Sequence, residues 1–245
     1  MVGRAEARQP CQASGVTVSD NAALLSNSAL FTELAPTALE FLAERATRLT
    51  YERGRTIFRQ GDAGDSLFVI ADGFVKIWVS SSDGGEMVLA TLRSPDAFGE
   101  LSAVDGRPRS ASATAVEPTT LVALDRATLL DGVHRHPDVA DGMLRALGGL
   151  ARRITEQTSD LVFLDLAGRL AKTLAALAER DGHPDGDTIV LALPLTQTEL
   201  AEMVGGSRQS VNQVLKSFEA RGFLELRGRE VVVTDLQALR RRGAR

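Results

Sequence analysis

Long hydrophobic runs, cysteine and histidine are scarce in this sequence, and each scarcity excludes a class of protein. No apolar stretch approaches the roughly 18 residues of a membrane span, so we expect no membrane partner. The N-terminal residues lack the apolar core of a secretory signal. Cys11 is the only cysteine, which excludes an intramolecular disulfide and a cysteine-ligated zinc or iron–sulfur site within one chain. These absences predict a cytoplasmic protein.

The sequence also lacks the residue patterns of an enzyme. It contains no convincing nucleophile–base set, no Walker phosphate-binding loop and no histidine-rich cluster, so we expect neither catalysis nor a bound metal. The net charge of −4 argues at first against nucleic acid. From residue 190 onward, however, nine Lys or Arg residues stand against six Asp or Glu. A basic C-terminal segment is compatible with DNA binding, although an unevenly charged solvated surface would look the same.

Glycines divide the N-terminal half into short apolar runs. Residues 1–28 are polar, small and aperiodic, which predicts a mobile tail. A helix is predicted around residues 36–46, where leucines recur at helical spacing. Between residues 49 and 124 the apolar runs alternate with glycine-containing turns. Several short strands with regular turns indicate an antiparallel β-sandwich or barrel.

Beyond Pro137 the apolar period becomes helical. Six residues follow the spacing of a coiled-coil seam, namely Leu144, Leu147, Ala151, Ile154, Thr158 and Leu161. A helix packed on its own domain would show the same spacing, but we favour a homodimer seam. Residues 163–165 suggest a hinge, a second helix is predicted from 166 to about 179, and a polar turn follows at 181–187.

Residues 98–111, FGELSAVDGRPRSA, combine groups that suit a sugar phosphate. Backbone N–H groups at Gly99, Glu100 and Leu101 could line an anion pocket. Arg109 could fork onto two phosphate oxygens while Ser110 supplies a further donor. The Glu100 carboxylate could accept a ribose hydroxyl proton, and a cyclic nucleotide presents both groups side by side. A tight surface turn with an ordinary Glu100 salt bridge explains the same spacing equally well.

Residues 195–215 predict a helix-turn-helix. Thr196 or Thr198 can cap the first helix, Gly205 suits the turn, and Ser207 can cap the second helix. The second helix has an inward apolar face of Val211, Val214, Leu215 and Phe218. The polar residues of the motif that we expect to contact DNA are Thr196, Thr198, Ser207, Arg208, Gln209, Asn212, Gln213 and Lys216.

Two short strand signals follow the second helix, with a glycine between them at Gly228. They complete the pattern of a winged helix-turn-helix. No acidic residue occurs between Glu202 and Glu219. An ordinary solvated helix face accounts less well for that absence than a DNA-binding face does.

FGELSAVDGRPRSASATA resembles the phosphate-binding segment of the cyclic-AMP receptor protein and fumarate-nitrate regulator family of bacterial transcription factors. The resemblance covers residues 31–240 and implies an α+β fold. The implied parts are a mobile tail (1–28), an antiparallel cyclic-nucleotide-binding β-roll or jelly roll (29–140), a long dimerisation helix (141–163) and a winged helix-turn-helix domain (164–245). In that family the glutamate of GEL binds the ribose 2′-hydroxyl and the RS pair binds the cyclic phosphate. Those roles fall on Glu100, Arg109 and Ser110.

The resemblance also implies partners. It indicates a homodimer that binds double-stranded DNA and RNA polymerase, with cyclic AMP as the effector and cyclic GMP as the lesser possibility. The family contacts the base from the long helix, where this chain has Ile154 and Thr155, so only Thr155 can supply a hydroxyl. The expected ligand-binding residues are therefore Gly99, Glu100, Leu101, Arg109, Ser110 and Thr155.

The DNA-reading helix of the family is usually written SRETV, and this chain reads SRQSV with Gln209 in place of the glutamate. Arg208 keeps its reach to guanine, whereas an amide suits adenine. We therefore expect the operator to depart from the usual half-site at the base pair facing Gln209. Two alternatives stay open: a regulator of the same family without this ligand, and a cyclic-nucleotide regulatory subunit of an enzyme, which would need no helix-turn-helix.

Overall fold

The computed structural model describes residues 11–12, 17–80, 84–192, 195–228 and 230–244. It divides into one unit of residues 1–79 with 89–149 and another of residues 80–88 with 150–245. No helix within these described ranges is both long and apolar enough to span a membrane. The predicted domain boundaries stay predictions, apart from the two differences given below.

Helix α1 (Val18–Asn27) lies inside the segment predicted to be a mobile tail, so that prediction is wrong for residues 18–27. Its N-terminus is a capping box, in which the Thr17 hydroxyl accepts from the Asp20 N–H and the Asp20 carboxylate accepts from the Thr17 N–H. Leu25 is fully buried and belongs to the same apolar cluster as Phe31. Within the rest of the predicted tail, Cys11–Gln12 form a short strand, and residues 1–10 and 13–16 lie outside the described residues.

The N-terminal half is built mainly of antiparallel strands, as the glycine pattern predicted. Its strands are β1 (Cys11–Gln12), β2 (Thr47–Tyr51), β3 (Thr56–Phe58), β4 (Ser66–Asp72), β5 (Phe74–Ser80), β6 (Glu86–Arg93), β7 (Ala97–Phe98), β8 (Ser112–Ala115) and β9 (Thr119–Asp125). One sheet has the order β1-β2-β9-β4-β7 and the other the order β3-β8-β5-β6. Its helices, besides α1, are α2 (Pro36–Arg45), α3 (Glu100–Asp105) and α4 (Arg126–Arg135).

Alternate side chains of the central strands enter two different cores. Phe68 and Ile70 of β4 pack between the sheets with Val75 and Phe98. Leu67 of β4 instead joins the apolar cluster formed with the surrounding helices. This alternation follows from the two-residue period of a strand, and it makes a β-roll with helices on one side.

Helix α5 (Pro137–Phe163) is the long helix that the apolar seam predicted. It begins at Pro137 instead of the predicted residue 141. Proline is favoured in the first turn of a helix because its φ is already helical and its missing N–H is not needed there. Residues 137–149 of the helix belong to the first unit, and residues 150–163 belong to the second.

The C-terminal elements form a winged helix-turn-helix, which confirms the predicted architecture. They are α6 (Leu166–Asp181), β10 (His183–Asp185), β11 (Thr188–Ala192), α7 (Gln197–Val204), α8 (Arg208–Ala220), β12 (Leu224–Arg227), β13 (Glu230–Val233) and α9 (Leu236–Gly243). The strands form a sheet of order β10-β11-β13-β12. Leu170, Leu174, Val211 and Phe218 are among the buried residues of its core.

Two elements of this unit differ from the sequence prediction. Residues 183–185 of the predicted polar turn form strand β10, whose side chains are all exposed and which pairs with β11 through its backbone. Helix α9 was not predicted, although Asp235 caps it and Leu239 is fully buried. In both cases backbone pairing or a short apolar contact defines the element, so the side-chain pattern gave little signal.

Candidate functional site

The loop between β7 and α3 has the conformation that its glycine suggests. Gly99 precedes α3 with φ = +80°, a left-handed conformation that favours glycine. A Cβ at this position would stand 2.7 Å from Nη1 of Arg109. Glu100 and Leu101 are the first two residues of α3.

The backbone of Arg109 is held by the turn after β3. The Arg109 N–H donates to the Asp62 carbonyl at 2.8 Å, and the Gly61 N–H donates to the Arg109 carbonyl at 2.9 Å. Gly64 in the same turn lies so close that a Cβ there would stand 3.0 Å from Cδ of Arg109 and 2.7 Å from Oγ of Ser102. The turn therefore supports both Arg109 and helix α3.

The side chain of Arg109 is a nearly buried cation with few partners. It is only 5% exposed, and its Nη1 donates to the Gly99 carbonyl at 3.0 Å. Its Cζ lies 4.2 Å from the centre of the Phe58 ring and 5.6 Å from that of Phe68. The Nε atom is buried without a hydrogen-bond partner. Among the residues that the structure describes, no carboxylate forms an ion pair with this guanidinium.

The electrostatics of Arg109 favour an anion. Burial lowers the pKa of Arg109, an effect that Asp65, Asp62 and Glu100 offset in part through their charge. Arginine nevertheless stays protonated in proteins, so the site keeps a partly desolvated positive charge. Nη1 donates to Gly99 and Nε has no acceptor, and the Nε–Nη2 edge of a guanidinium has a shape that matches two oxygens of one phosphate.

The structure brings five of the six expected ligand-binding residues into one unit. Glu100 is half-buried, and Ser110, which directly follows Arg109, is exposed. Thr155 belongs to the second unit, where its hydroxyl donates to the Ala151 carbonyl at 3.0 Å. Sequence reasoning missed Phe58 and Gly64. The only sequence signal for Phe58 was its place just before a glycine-rich turn. That position does not reveal that its ring contacts Arg109.

The helix-turn-helix caps are formed as predicted. Of the two candidate threonines, Thr196 caps α7: its hydroxyl accepts from the Glu199 N–H at 3.2 Å, and the Glu199 carboxylate accepts from the Thr196 N–H at 2.9 Å. Gly205 ends α7 with φ = +63°, and Ser207 caps α8 by accepting from the Ser210 N–H at 3.1 Å.

Helix α8 has the two faces that its sequence predicted. Val211, Leu215 and Phe218 are buried, and Val214 packs beside them. Of the residues expected to contact DNA, Asn212 is half-buried and the others are exposed, namely Thr196, Thr198, Ser207, Arg208, Gln209, Gln213 and Lys216. From residue 207 to residue 218 the exposed residues include arginine, amides and lysine but no carboxylate, which is the chemistry of major-groove reading.

Two protein-family models match the chain. Residues 48–136 match the cyclic nucleotide-binding domain, and residues 168–242 match the Crp-like helix-turn-helix domain. The first match contains the Arg109 site, and the second contains helices α7 and α8.

Individual proteins show the same relationship over most of the chain. The chain is 36% identical over 219 residues to the CRP-like cAMP-activated global transcriptional regulator of Mycobacterium tuberculosis, covering 89% of this chain and 98% of that protein. It is 33% identical to the cyclic AMP receptor protein of Thermus thermophilus, covering 82% and 90%. Its fold matches the solved structure of the c-di-GMP responsive global regulator CLP of Xanthomonas campestris with a TM-score of 0.70 and 26% identity, covering 81% and 99%. The chain therefore belongs to the cyclic-AMP receptor protein and fumarate-nitrate regulator family of DNA-binding transcription regulators.

Proposed function

We propose that this protein is a homodimeric, cytoplasmic transcription regulator whose affinity for its operator is set by cyclic AMP. Each β-roll binds one nucleotide, and two winged domains bind successive major grooves of a near-palindromic site. RNA polymerase is the further partner expected of such a regulator. The nucleotide acts only through its different affinity for the two states of the protein, a coupling of about 1–3 kcal/mol in typical cases.

The observation that carries the ligand proposal is the state of Arg109. Arg109 is only 5% exposed, has no ion-paired carboxylate among the described side chains, and has a buried Nε without an acceptor. Such a buried cation is costly unless an anion completes the site. A cyclic phosphate presents two exocyclic oxygens to the Nε–Nη2 edge. Ser110 and the first N–H groups of α3 would add donors, and Glu100 would accept from the ribose.

The identity of the nucleotide base has less support than that of the phosphate. Thr155 is the single hydroxyl proposed to reach it, and this hydroxyl also has an intrahelical acceptor at Ala151. We therefore expect cyclic AMP to be preferred over cyclic GMP by a small factor. The match to a protein described as c-di-GMP responsive makes cyclic di-GMP a necessary third ligand in the test.

Calorimetry of three proteins tests the ligand. The unaltered protein should bind cyclic AMP, while Arg109→Ala should lose at least about 30-fold in affinity because a buried charged contact is removed. Arg107→Ala is the matched control, since its side chain is 84% exposed in the same loop, and it should bind normally. If the unaltered protein binds none of the three nucleotides, the cyclic-nucleotide proposal is refuted, and the alternative of a regulator with another effector is favoured.

Mobility-shift assays test the coupling and the DNA site. Selection from random DNA gives the operator, whose affinity is then measured with and without cyclic AMP. We expect tighter binding with nucleotide, and Lys216→Ala should weaken binding to all sequences while reducing the salt dependence. Equal affinity in both conditions would favour the ligand-independent alternative, and no preference for any duplex would refute the function.

A further inference from the structure

We infer that Phe58 is a positioning residue for the nucleotide phosphate, acting through Arg109 without touching the ligand itself. The inference rests on the proposed function, because the phosphate is the group that Arg109 is proposed to hold. It goes further in assigning the orientation of the guanidinium to an aromatic surface. Among the described residues no carboxylate forms an ion pair with Arg109, although Asp65, Asp62 and Glu100 act on it through their charge.

The contact between the two side chains has the geometry of a strong cation–π interaction. Cζ of Arg109 lies 4.2 Å from the Phe58 ring centre, well within the roughly 6 Å over which an aromatic face attracts a cation. The attraction is greater where water is excluded, and Arg109 is only 5% exposed. The Phe58 ring therefore supplies part of the stabilisation that an ion pair would otherwise give to Arg109.

Phe58 is itself fixed by other aromatic rings. Its ring centre lies 5.9 Å from Phe68 and 5.9 Å from Phe98, and the last two stack at 5.3 Å. Phe98 directly precedes Gly99, whose carbonyl accepts from Nη1 of Arg109. The guanidinium is thus held by a ring on its face and by a carbonyl at Nη1, while Nε has no acceptor in the protein.

This arrangement prepares the site before the ligand arrives. An unpaired arginine on a flexible stem would lose conformational freedom when it binds, which weakens affinity. A guanidinium that is already held on an aromatic ring loses less conformational freedom when the phosphate binds. A charged carboxylate would hold it equally well, but it would compete with the phosphate for the same donors, whereas a ring does not.

Calorimetry with cyclic AMP on Phe58→Leu, Phe58→Tyr and Phe41→Leu measures the effect. Phe58→Leu should lower affinity by about 3- to 30-fold, and Phe58→Tyr, which keeps the ring face, should return it close to that of the unaltered protein. Phe41→Leu is the matched control, since Phe41 is also half-buried and has the Arg45 Cζ at 4.0 Å from its ring, outside the site. It should bind cyclic AMP normally.

A measurement without nucleotide separates positioning from general stability. In the nucleotide-free protein, the Nε–H resonance of Arg109, identified by its loss in Arg109→Lys, should carry a ring-current shift that disappears in Phe58→Leu. Midpoints of thermal unfolding show whether the variants are folded.

The outcomes distinguish the inference from the function beneath it. The inference is overturned if the unaltered protein binds cyclic AMP and folded Phe58→Leu binds it equally well. It is also overturned if Phe58→Tyr binds cyclic AMP no more tightly than Phe58→Leu. If the unaltered protein binds no nucleotide, the proposed function fails, and an unchanged Arg109 resonance in Phe58→Leu would then overturn the positioning role separately.

Discussion

Single residues without side chains shape the candidate ligand site as much as the charged ones do. Gly64 lies between Ser102 of helix α3 and the stem of Arg109, and Gly99 leaves room for Nη1 of that arginine. Interiors are packed closely enough that one added methyl group is felt. The geometry around Arg109 therefore depends on space at two glycine positions.

Gly64→Ala should impair both folding and the ligand site. The added Cβ would stand 2.7 Å from Ser102 Oγ and 3.0 Å from Arg109 Cδ, so we expect a loss of about 1–3 kcal/mol in unfolding free energy. Gly149→Ala is the control, because nothing lies within 4 Å of its Cβ position in helix α5. That variant should be stabilised by up to about 1 kcal/mol in urea unfolding. Equal effects of the two alanines would contradict the packing argument.

Gln209 is the residue at which DNA specificity should depart from the family. Its side chain is exposed near the start of α8, and an amide pairs with adenine where a carboxylate accepts from cytosine. Selection on random DNA should therefore give an operator altered at one base pair per half-site, and Gln209→Glu should shift that base pair back. A mismatch there should cost about 1–3 kcal/mol. Recovery of the unaltered family half-site by the natural protein would refute this.

At the scale of elements, ion pairs tie the start of helix α6 to its neighbours. Asp165 caps α6 by accepting from the Gly168 N–H, and it also pairs with Arg242 of α9 at 2.6 Å. Lys172 of α6 pairs with Asp160 of α5, likewise at 2.6 Å. Helix α9, which the sequence did not predict, thus contacts the residues between α5 and α6 where a hinge was expected.

The Asp165–Arg242 pair should make stability depend on pH in the acid range. The Arg242 hydrogen bond, with the Gly168 N–H, lowers the pKa of Asp165 from its ordinary 3.8. The folded state therefore favours the carboxylate, so the stabilisation is present above pH 3.8 and is lost as the pH falls through the lowered value.

Urea unfolding between pH 7 and pH 3 measures that dependence. Arg242→Met should be less stable than the natural protein at neutral pH, and the difference should shrink as acid protonates Asp165. The effect should be modest, since the carboxylate is two-thirds exposed. Arg241→Met is the control, because its contact with Asp235 is longer, at 3.7 Å, and it should show a smaller pH-dependent difference. A constant difference for Arg242→Met at every pH would contradict the assignment.

For the whole molecule, the exposed apolar seam of α5 is the feature that a single chain leaves unsatisfied. Leu144 is 67% exposed, Ile154 53% and Leu161 47%. Exposed apolar residues at coiled-coil spacing are typical of helices that pair with a second helix. We therefore expect a second copy of the chain to cover this seam.

Ile154→Asp should weaken the dimer, because it places a charge in the expected helix–helix contact. Sedimentation over a range of protein concentrations should show the variant dissociating at concentrations where the natural protein is dimeric. Arg152→Asp is the control, since residue 152 lies on the opposite side of the helix and is also exposed. A natural protein that is monomeric at every concentration would refute the dimer, and with it the paired-groove binding of DNA.

The sequence alone determined the features that depend on neighbours within a few residues. The β texture of the N-terminal half, the long helix, the Thr196 and Ser207 caps and the two faces of α8 all follow from local spacing, and all are present in the structure. Arg109 and Glu100 could also be singled out, because a short motif contains both. Helix α1 was not predicted, because polar residues surround the few apolar ones, Ala22, Leu24 and Leu25, that pack against the core.

Only the tertiary structure decided what surrounds those residues. Phe58 and Gly64 reach Arg109 because strand β3 pairs with β8 and the turn after β3 bonds to the Arg109 backbone. Helix α9 exists through packing on segments distant in the sequence, whereas strand β10 forms by backbone pairing with the neighbouring strand β11. Contacts between residues far apart in the chain depend on the pairing of strands and the filling of a shared core, and a one-dimensional pattern carries little information about either.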